Sequence, residues 1–229
     1  MRIVSVNVGR PREVVWKGAT VSTAIFKQPV EGRIPLRCRN LDGDAQADLA
    51  VHGGVEKAVY AYPVEHYPPW RAELPETELA HGSFGENLTL EGVPLEDEVC
   101  VGDRFEVGTA ELVVTQPRIP CFKLGIRFGR EDIVKRFLAS GRSGWYFAVL
   151  REGAVAAGDP VRLLERHPAR HSVAELTRLY ARPGGDVEGL RRAAALDALP
   201  EGWRSHFADL ADQAEQRRER AARTRAGAP

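Results

Sequence analysis

The sequence predicts a mainly β domain with a few short helices, followed by a small α-helical module at the C-terminus. Near the N-terminus, Val4, Val6 and Val8 alternate with other residues at the period of a half-buried strand. Through the first two-thirds of the chain, short apolar runs are separated by glycines and prolines, as in a barrel or a sandwich. After about residue 167 the pattern changes to capped segments with helical spacing.

Two β-hairpins are expected in the β-rich part. Residues 99–107 and 111–115 lie on either side of Gly108, and short strands flanking a glycine are typical of a hairpin. Residues 145–150 and 161–164 surround a second glycine-containing turn in the same way. We therefore expect each of these two pairs of segments to form neighbouring antiparallel strands.

Two short helices are also expected before residue 167. Residues 63–74 predict the first, although Pro68-Pro69 must bend or break it. Residues 133–139 predict the second. Helical segments are otherwise few here, so the first part of the chain is expected to be mostly β.

The composition changes at His167-Pro168, which we interpret as a linker between a domain of residues 1–166 and a module of residues 167–229. Ser172 and Glu175 form a capping box at the start of a helix. Asp186 is expected to cap a second helix that continues to Leu199. A third helix begins near Trp203 and has one apolar stripe, formed by Trp203, Phe207, Leu210 and Ala214.

The chain of 229 residues carries 32 basic and 32 acidic side chains, so its formal net charge is zero. This balance argues against a protein that coats nucleic acid or binds a membrane surface, since both need an excess of positive charge. No apolar stretch approaches the roughly 18 residues of a membrane span. Three cysteines are too few for a disulfide scaffold. We therefore expect a soluble cytoplasmic protein with reduced thiols.

The segment Gln116–Leu124 contains most of the residues suited to chemistry. Pro117 and Pro120 fix the backbone of a stiff loop that holds Cys121. Four positive charges and no acid occur between Pro117 and Arg130, contributed by Arg118, Lys123, Arg127 and Arg130. A thiol in these surroundings is shifted toward the thiolate, which attacks electrophiles or binds soft metals. The spacing leaves open whether Cys121 is a nucleophile or a metal ligand.

Two further clusters precede this segment. The first contains His52-Gly53-Gly54 and Lys57, and its two glycines let a ligand approach backbone amides. The side chains of His52 and Lys57, on either side, suit an anionic group such as phosphate. Glu86 and Asn87 place an acceptor and an amide after a glycine turn, where they suit the edge of a heterocycle. Each cluster also has a structural interpretation, as a glycine turn with a satisfied histidine or as an Asx-type turn before a strand.

Taken together, the three clusters resemble the MOSC domain, specifically its YiiM-type branch. The matching blocks occur in the family order over residues 1 to about 165, and the helical tail is similar to the three-helix segment that follows the barrel in this branch. The residues that carry the resemblance are Asp48, His52-Gly53-Gly54, Lys57-Ala58-Val59, Tyr62, Phe84–Leu88, Gly102-Asp103-Arg104, Gln116-Pro117-Arg118 and Pro120–Leu124. The resemblance implies a MOSC-type β-barrel.

The resemblance also implies that the protein binds molybdenum cofactor (molybdopterin), a pterin dithiolene with a phosphate. Cys121 matches the position at which a thiolate ligates molybdenum, which makes it the implied metal ligand and catalytic residue. The implied cofactor-binding residues are His52, Lys57, Glu86, Asn87, Arg118, Lys123 and Arg127. YiiM-type proteins are associated with reducing N-hydroxylated compounds, including hydroxylamines and N-hydroxylated base analogues. A separate electron donor of the flavin reductase type is then required.

Other functions stay open at this level. A non-catalytic carrier would hold the cofactor, or a sulfur bound to Cys121, and a persulfide should then be detectable on that residue. A degenerate domain would serve assembly alone. The helical module is suited either to forming a homodimer or to docking the electron donor. No nucleic acid or membrane partner is expected.

Overall fold

The computed structural model describes residues 1–47 and 53–226, with side chains as far as Ala221. The strands are β1 (Arg2–Val8), β2 (Arg12–Trp16), β3 (Ala19–Thr23), β4 (Gln28–Val30), β5 (Ile34–Leu36), β6 (Val59–Pro63), β7 (Leu88–Glu91), β8 (Arg104–Val107), β9 (Ala110–Pro117), β10 (Trp145–Arg151), β11 (Gly153–Val155) and β12 (Val161–Glu165). The helices are α1 (Tyr67–Glu73), α2 (Phe122–Phe128), α3 (Asp132–Ser140), α4 (Val173–Ala181), α5 (Val187–Ala194) and α6 (Glu201–Ala226).

Within the described residues, eight strands form one sheet in the order β12-β8-β9-β10-β6-β7-β1-β4. The sheet closes because the start of β1 also meets the residues that lead into β12. The Ile3 amide donates to the Asp159 carbonyl at 2.9 Å, the Gly158 amide donates to the Ile3 carbonyl at 2.8 Å, and the Val161 amide donates to the Met1 carbonyl at 3.0 Å. The expected β-barrel is therefore confirmed.

One predicted hairpin is confirmed and the other is wrong. β8 and β9 pair antiparallel around Gly108, although the first strand begins at Arg104 instead of Val99. β10 pairs with β6 and β9, whereas β12 pairs with β8, so these two strands are not neighbours. The chain between them leaves the large sheet and forms β11 beside β5. The apolar pattern of a segment predicts that it is a strand, but which strand it pairs with depends on contacts between residues distant in sequence.

The parallel pair of β6 and β7 requires a long crossover, which contains the predicted helix α1. After a 3₁₀ turn at Val64–His66, Pro68 and Pro69 occupy the first turn of α1, where the missing amide hydrogens break no helical hydrogen bond. The two prolines therefore begin the helix instead of breaking it. The Trp70 ring stacks on Phe137 of α3 at 6.0 Å, within an aromatic core shared by α1, α2 and α3.

Helix α3 confirms the prediction for residues 133–139, but α2 was not predicted. The segment after Pro117 is a loop only as far as Cys121, which is the N-cap residue of α2. The structure thus has the expected loop up to Cys121, and a helix follows it directly. Pro117 and Pro120 precede this helix and indicate a loop. The helix has only seven residues, which is too short to show a clear helical periodicity of apolar residues.

Both predicted caps of the C-terminal module are confirmed. The Ser172 side chain accepts a hydrogen bond from the Glu175 amide at the start of α4. Asp186 caps α5 in the same way, by accepting from the Gly189 amide at 2.7 Å. Helix α5 ends at Ala194, five residues before the predicted end, and α6 then begins at Glu201.

The module packs directly on the barrel. The Val173 amide donates to the Val99 carbonyl at 2.9 Å, and the Val101 amide donates to the His171 carbonyl at 3.0 Å. Apolar side chains of both parts form one continuous core, so the division of the chain at residue 166 stays a prediction. With the module included, 31% of the residues are helical and 29% are in strands, so "mainly β" describes the barrel alone. None of the described helices has the length and apolar character needed to cross a membrane.

Candidate functional site

A cleft of about 100 Å³ lies beside the end of β9, where the loop of residues 118–121 turns toward α2. We call it the barrel cleft. It brings together five of the residues that the sequence singled out, although they come from distant parts of the chain: Lys57, Asn87, Arg118, Cys121 and Lys123. Tyr60 and Tyr146, on the adjacent strands β6 and β10, also line it.

Cys121 is half-buried at this cleft. It ends the loop of residues 118–121, and its extended backbone forms the N-cap of α2. None of the three cysteines, all within the described residues, forms a disulfide, as expected. Burial raises the pKa of Tyr146, which also lines the cleft, so this phenol stays a neutral hydrogen-bond donor at ordinary pH.

Arg118 supplies a buried positive charge to the cleft. Arg118 is 5% exposed, and its guanidinium carbon lies 4.8 Å from the ring centre of Phe137 and 5.5 Å from that of Tyr60. Nη2 donates to the Phe84 carbonyl at 3.4 Å. Nη1 is buried without a hydrogen-bond partner among the residues the structure describes. Such a donor is costly unless a ligand supplies an acceptor.

A buried ion pair forms another part of the lining, and the sequence analysis missed it. Lys27 Nζ lies 2.5 and 2.7 Å from the two carboxylate oxygens of Asp44. The same carboxylate accepts from the Gly9 amide at 2.8 Å and from Asn87 Nδ2 at 2.9 Å. Burial lowers the pKa of Lys27, although Asp44 opposes this effect. The only sequence signal was that lysines are rare, with five in the chain.

Asn87 lines the barrel cleft, but hydrogen bonds within the fold already engage its amide. Its Oδ1 accepts from the Tyr60 amide at 3.1 Å, and its Nδ2 donates to the Asn7 carbonyl at 3.3 Å as well as to Asp44. The side chain therefore connects strands β1 and β6 beside the Lys27–Asp44 pair. Its placement supports the cleft from within the barrel.

Glu86 is not among the residues that line this cleft. Its carboxylate is fully buried and accepts from the Gly82 amide at 2.8 Å, from the Phe84 amide at 3.1 Å and from the Thr89 hydroxyl at 3.0 Å. The Tyr67 hydroxyl also donates to it. Burial raises the pKa of Glu86 despite these donors. The structure places this side chain as the internal support of the turn at residues 82–86.

Arg127 also lies outside the lining. It is on α2, where Nη2 donates to the Ser83 hydroxyl at 3.2 Å and the guanidinium carbon lies 5.6 Å from the centre of the Phe26 ring. Burial lowers the pKa of Arg127. The sequence predicted a cofactor contact at this position, and the structure places the side chain against Ser83, in the turn of residues 82–86.

Lys57 and Lys123 line the barrel cleft from two different elements. Lys57 ends a short 3₁₀ turn that starts after Gly54, whose φ of 105° is a conformation that favours glycine. Burial lowers the pKa of Lys57. Lys123 lies in the first turn of α2. The predicted contact His52, together with Asp48 of the same block, lies outside the described residues.

A second cleft, of about 510 Å³, adjoins the first between the barrel and the C-terminal helices. We call it the interface cleft. Lys57, Cys121 and Tyr146 line both clefts. The wall of the interface cleft contributed by the module carries three ring side chains, which we call the aromatic wall: Tyr180, Trp203 and His206.

Two family models match the chain. The model of the MOSC domain matches residues 48–162, which include Cys121. The model of the YiiM-like, 3-alpha helix domain matches residues 172–211, which begin at the N-cap of α4. The two matches follow the order of barrel and helical module in the structure.

Individual proteins match as well. Uncharacterized protein YflK of Bacillus subtilis (strain 168) is 38% identical over 211 residues, which are 92% of this chain and 95% of that protein. A protein of Gibberella moniliformis named "Reductase" is 38% identical over 180 residues, which are 77% of this chain and only 32% of that protein. The crystal structure of YiiM from Geobacillus stearothermophilus superposes with a TM-score of 0.76 at 34% identity, covering 92% of this chain and 98% of that one.

Proposed function

The chain belongs to the MOSC-domain family, with a YiiM-like three-helix domain after the barrel, and we propose that it is a molybdenum-cofactor oxidoreductase of N-hydroxylated compounds. The observation that carries the proposal is the position of Cys121, half-buried in a cleft beside Arg118, Lys57 and Lys123. The match to a protein named "Reductase" supports redox chemistry, although this chain spans about a third of that protein.

The residues of the barrel cleft fit this cofactor. A thiolate from Cys121 is a soft ligand suited to a thiophilic metal. The buried Nη1 of Arg118 lacks an acceptor among the described residues, and an anionic oxygen of the cofactor would supply one. The described residues contain no group of three or more His, Cys, Asp or Glu arranged around a metal. The pterin dithiolene brings two sulfurs of its own, which are soft ligands of the same kind as the Cys121 thiolate.

The overall reaction is R–NHOH + 2 e⁻ + 2 H⁺ → R–NH₂ + H₂O, with electrons from a separate flavin-dependent reductase. When bound, the cofactor supplies a metal that accepts oxygen and exchanges two electrons. The chain's own residues bind and orient the reactants. Lys57 and Arg118 hold anionic groups, and Tyr146 presents a neutral hydroxyl from the side shared by both clefts. Because Cys121 would ligate the metal, its position determines where the N–O bond of the substrate must be placed.

The proposal is tested by purifying the protein from molybdenum-sufficient cells and measuring its metal content and its reductase activity together. Molybdenum is quantified by mass spectrometry, and reduction of hydroxylamines and amidoximes is followed with reduced methyl viologen as an artificial donor. We expect molybdenum close to one atom per chain, and turnover that is lost in protein from tungstate-grown cells. Molybdenum without reduction of any N-hydroxylated compound would favour the carrier function instead.

The lowered pKa of Lys57 predicts a specific pH dependence for anion binding. Deprotonation removes the positive charge, so sulfate affinity should fall as the pH rises through a value below that of an ordinary lysine. Loss of this charged contact should weaken binding roughly tenfold. Titration calorimetry with sulfate, whose own charge is constant in this range, measures the effect.

Two matched variants control this experiment. Lys57→Arg keeps its charge over the whole range, so its affinity profile should be flat at high pH. Lys17→Arg changes an exposed lysine that pairs with Glu131 on the surface, and it should retain the wild-type profile. A wild-type affinity that stays constant up to the pKa of an exposed lysine would remove Lys57 from the anion site.

A further inference from the structure

We propose that the interface cleft binds the planar heterocyclic ring of an N-hydroxylated substrate, with one ring of the aromatic wall stacking on it and Gln116 donating to its edge. This inference rests on the proposed function, because the N-hydroxyl group of the bound ring must point toward Cys121. It gives the C-terminal helices a role in substrate selection.

The interface cleft is placed where a substrate could reach Cys121. Cys121 lies on the boundary of the two clefts, so a molecule in the interface cleft reaches the same thiol that faces the barrel cleft. Tyr146 lines this boundary as well. A metal bound to Cys121 would therefore lie between the cationic lining of the barrel cleft and the aromatic wall of the interface cleft.

The aromatic wall offers ring faces in more than one orientation. The ring centres of Tyr180 and Trp203 are 5.6 Å apart with the planes 46° to each other, and those of Tyr180 and His206 are 5.3 Å apart at 43°. A planar ligand can therefore stack on one of these rings while the others contact its edge. Phe207, which is fully buried, lies 5.5 Å from Trp203 and supports it from below. The three rings themselves are only partly buried or exposed, so their remaining surface faces the cleft. Clustered rings of this kind favour planar, conjugated ligands.

Gln116 supplies the polar part of the recognition. The residue is 2% exposed, and its Nε2 is buried without a hydrogen-bond partner among the described residues. Its position is fixed because it lies on β9, opposite Tyr146 on β10. A buried donor without an acceptor costs free energy, and a ring nitrogen or ring carbonyl would remove that cost. The cleft therefore favours rings with an acceptor on the edge over plain hydrocarbon rings.

Three probes with the same kind of reacting group separate these contributions. N4-hydroxycytosine has a ring with edge acceptors, benzamidoxime has a ring without them, and acetamidoxime has no ring. With Trp203→Leu, we expect kcat/KM of either ring-containing probe, relative to acetamidoxime, to fall roughly tenfold because stacking is lost. With Gln116→Met, the ratio of N4-hydroxycytosine to benzamidoxime should fall by a similar factor.

Binding is measured separately from turnover. Calorimetric titration of N4-hydroxycytosine into cofactor-free protein should show the same weakening in both variants. Trp16→Leu and Gln213→Met change residues outside the interface-cleft lining and serve as matched controls, with wild-type affinity expected. Thermal melts verify folding, and His206→Ala, which removes an exposed ring, repeats the stacking test if Trp203→Leu is unstable.

The outcomes distinguish this inference from the proposed function. If no probe is reduced by wild-type protein, but N4-hydroxycytosine binding depends on Trp203 and Gln116, the reductase is wrong and the ring site stands. If acetamidoxime is reduced and the cleft variants keep wild-type ratios and affinities, the ring site is wrong and the reductase stands.

Discussion

Cys121→Ser should abolish molybdenum binding and lower the reduction of N-hydroxylated compounds by at least about 100-fold, since substitutions in the outer ligand sphere of a metal already cost 10- to 100-fold. A serine hydroxyl stays protonated and is a hard donor, so it replaces the soft thiolate poorly. The side chain is half-buried and the change replaces a single atom with a slightly smaller one, so the fold should persist. Metal analysis and amidoxime turnover measure the two losses in one preparation.

Cys38→Ser is the matched control. Cys38 is exposed and lines neither cleft, so its substitution should leave both metal content and turnover unchanged. Full metal and activity in Cys121→Ser would refute the ligand assignment. A wild-type protein that carries a persulfide on Cys121, detected by mass spectrometry, and reduces none of the compounds would establish the carrier function instead.

The sequence predicted the parts of the fold that depend on neighbouring residues. The N-cap by Ser172 involves only residues 172–175, and the structure confirms it: the Ser172 hydroxyl accepts from the Glu175 amide. The pairing of β10 and β12 depends on distant strands, so adjacent segments were wrongly joined into a hairpin. A local sequence pattern contains the information for a helix cap but not for the pairing of strands that are distant in sequence.

The same distinction applies to the candidate site. Cys121 and Arg118 lie within one short motif, and the structure places both on the barrel cleft. Glu86 belongs to an equally distinct motif, yet its carboxylate accepts from backbone amides of its own turn. This placement could not be predicted, because a sequence does not show whether a charged side chain faces a cleft or its own backbone. Lys27 and Asp44 were missed because they lie in irregular segments with no shared motif.

Asp44→Ala should destabilise the protein by about 3 kcal/mol, because it leaves the buried Lys27 charge without its partner. The substitution also removes the acceptor of the Gly9 amide and of Asn87 Nδ2. Lys27 already has a lowered pKa, and losing Asp44 removes the interaction that opposes this shift. The unfolded chain then binds the proton more tightly than the folded one, so the deficit should shrink as the pH rises. Urea unfolding at several pH values measures it.

The double variant Lys27→Met/Asp44→Leu tests whether the unpaired charge is the cause. Replacing both partners with apolar side chains removes the buried charge, so the double variant should be more stable than Asp44→Ala alone. Asp42→Ala, on the same turn, removes an exposed partner of Arg37 and should cost less than about 1 kcal/mol. Equal losses for Asp44→Ala and the double variant would mean that the lost acceptors, and not the charge of Lys27, stabilise this side of the barrel cleft.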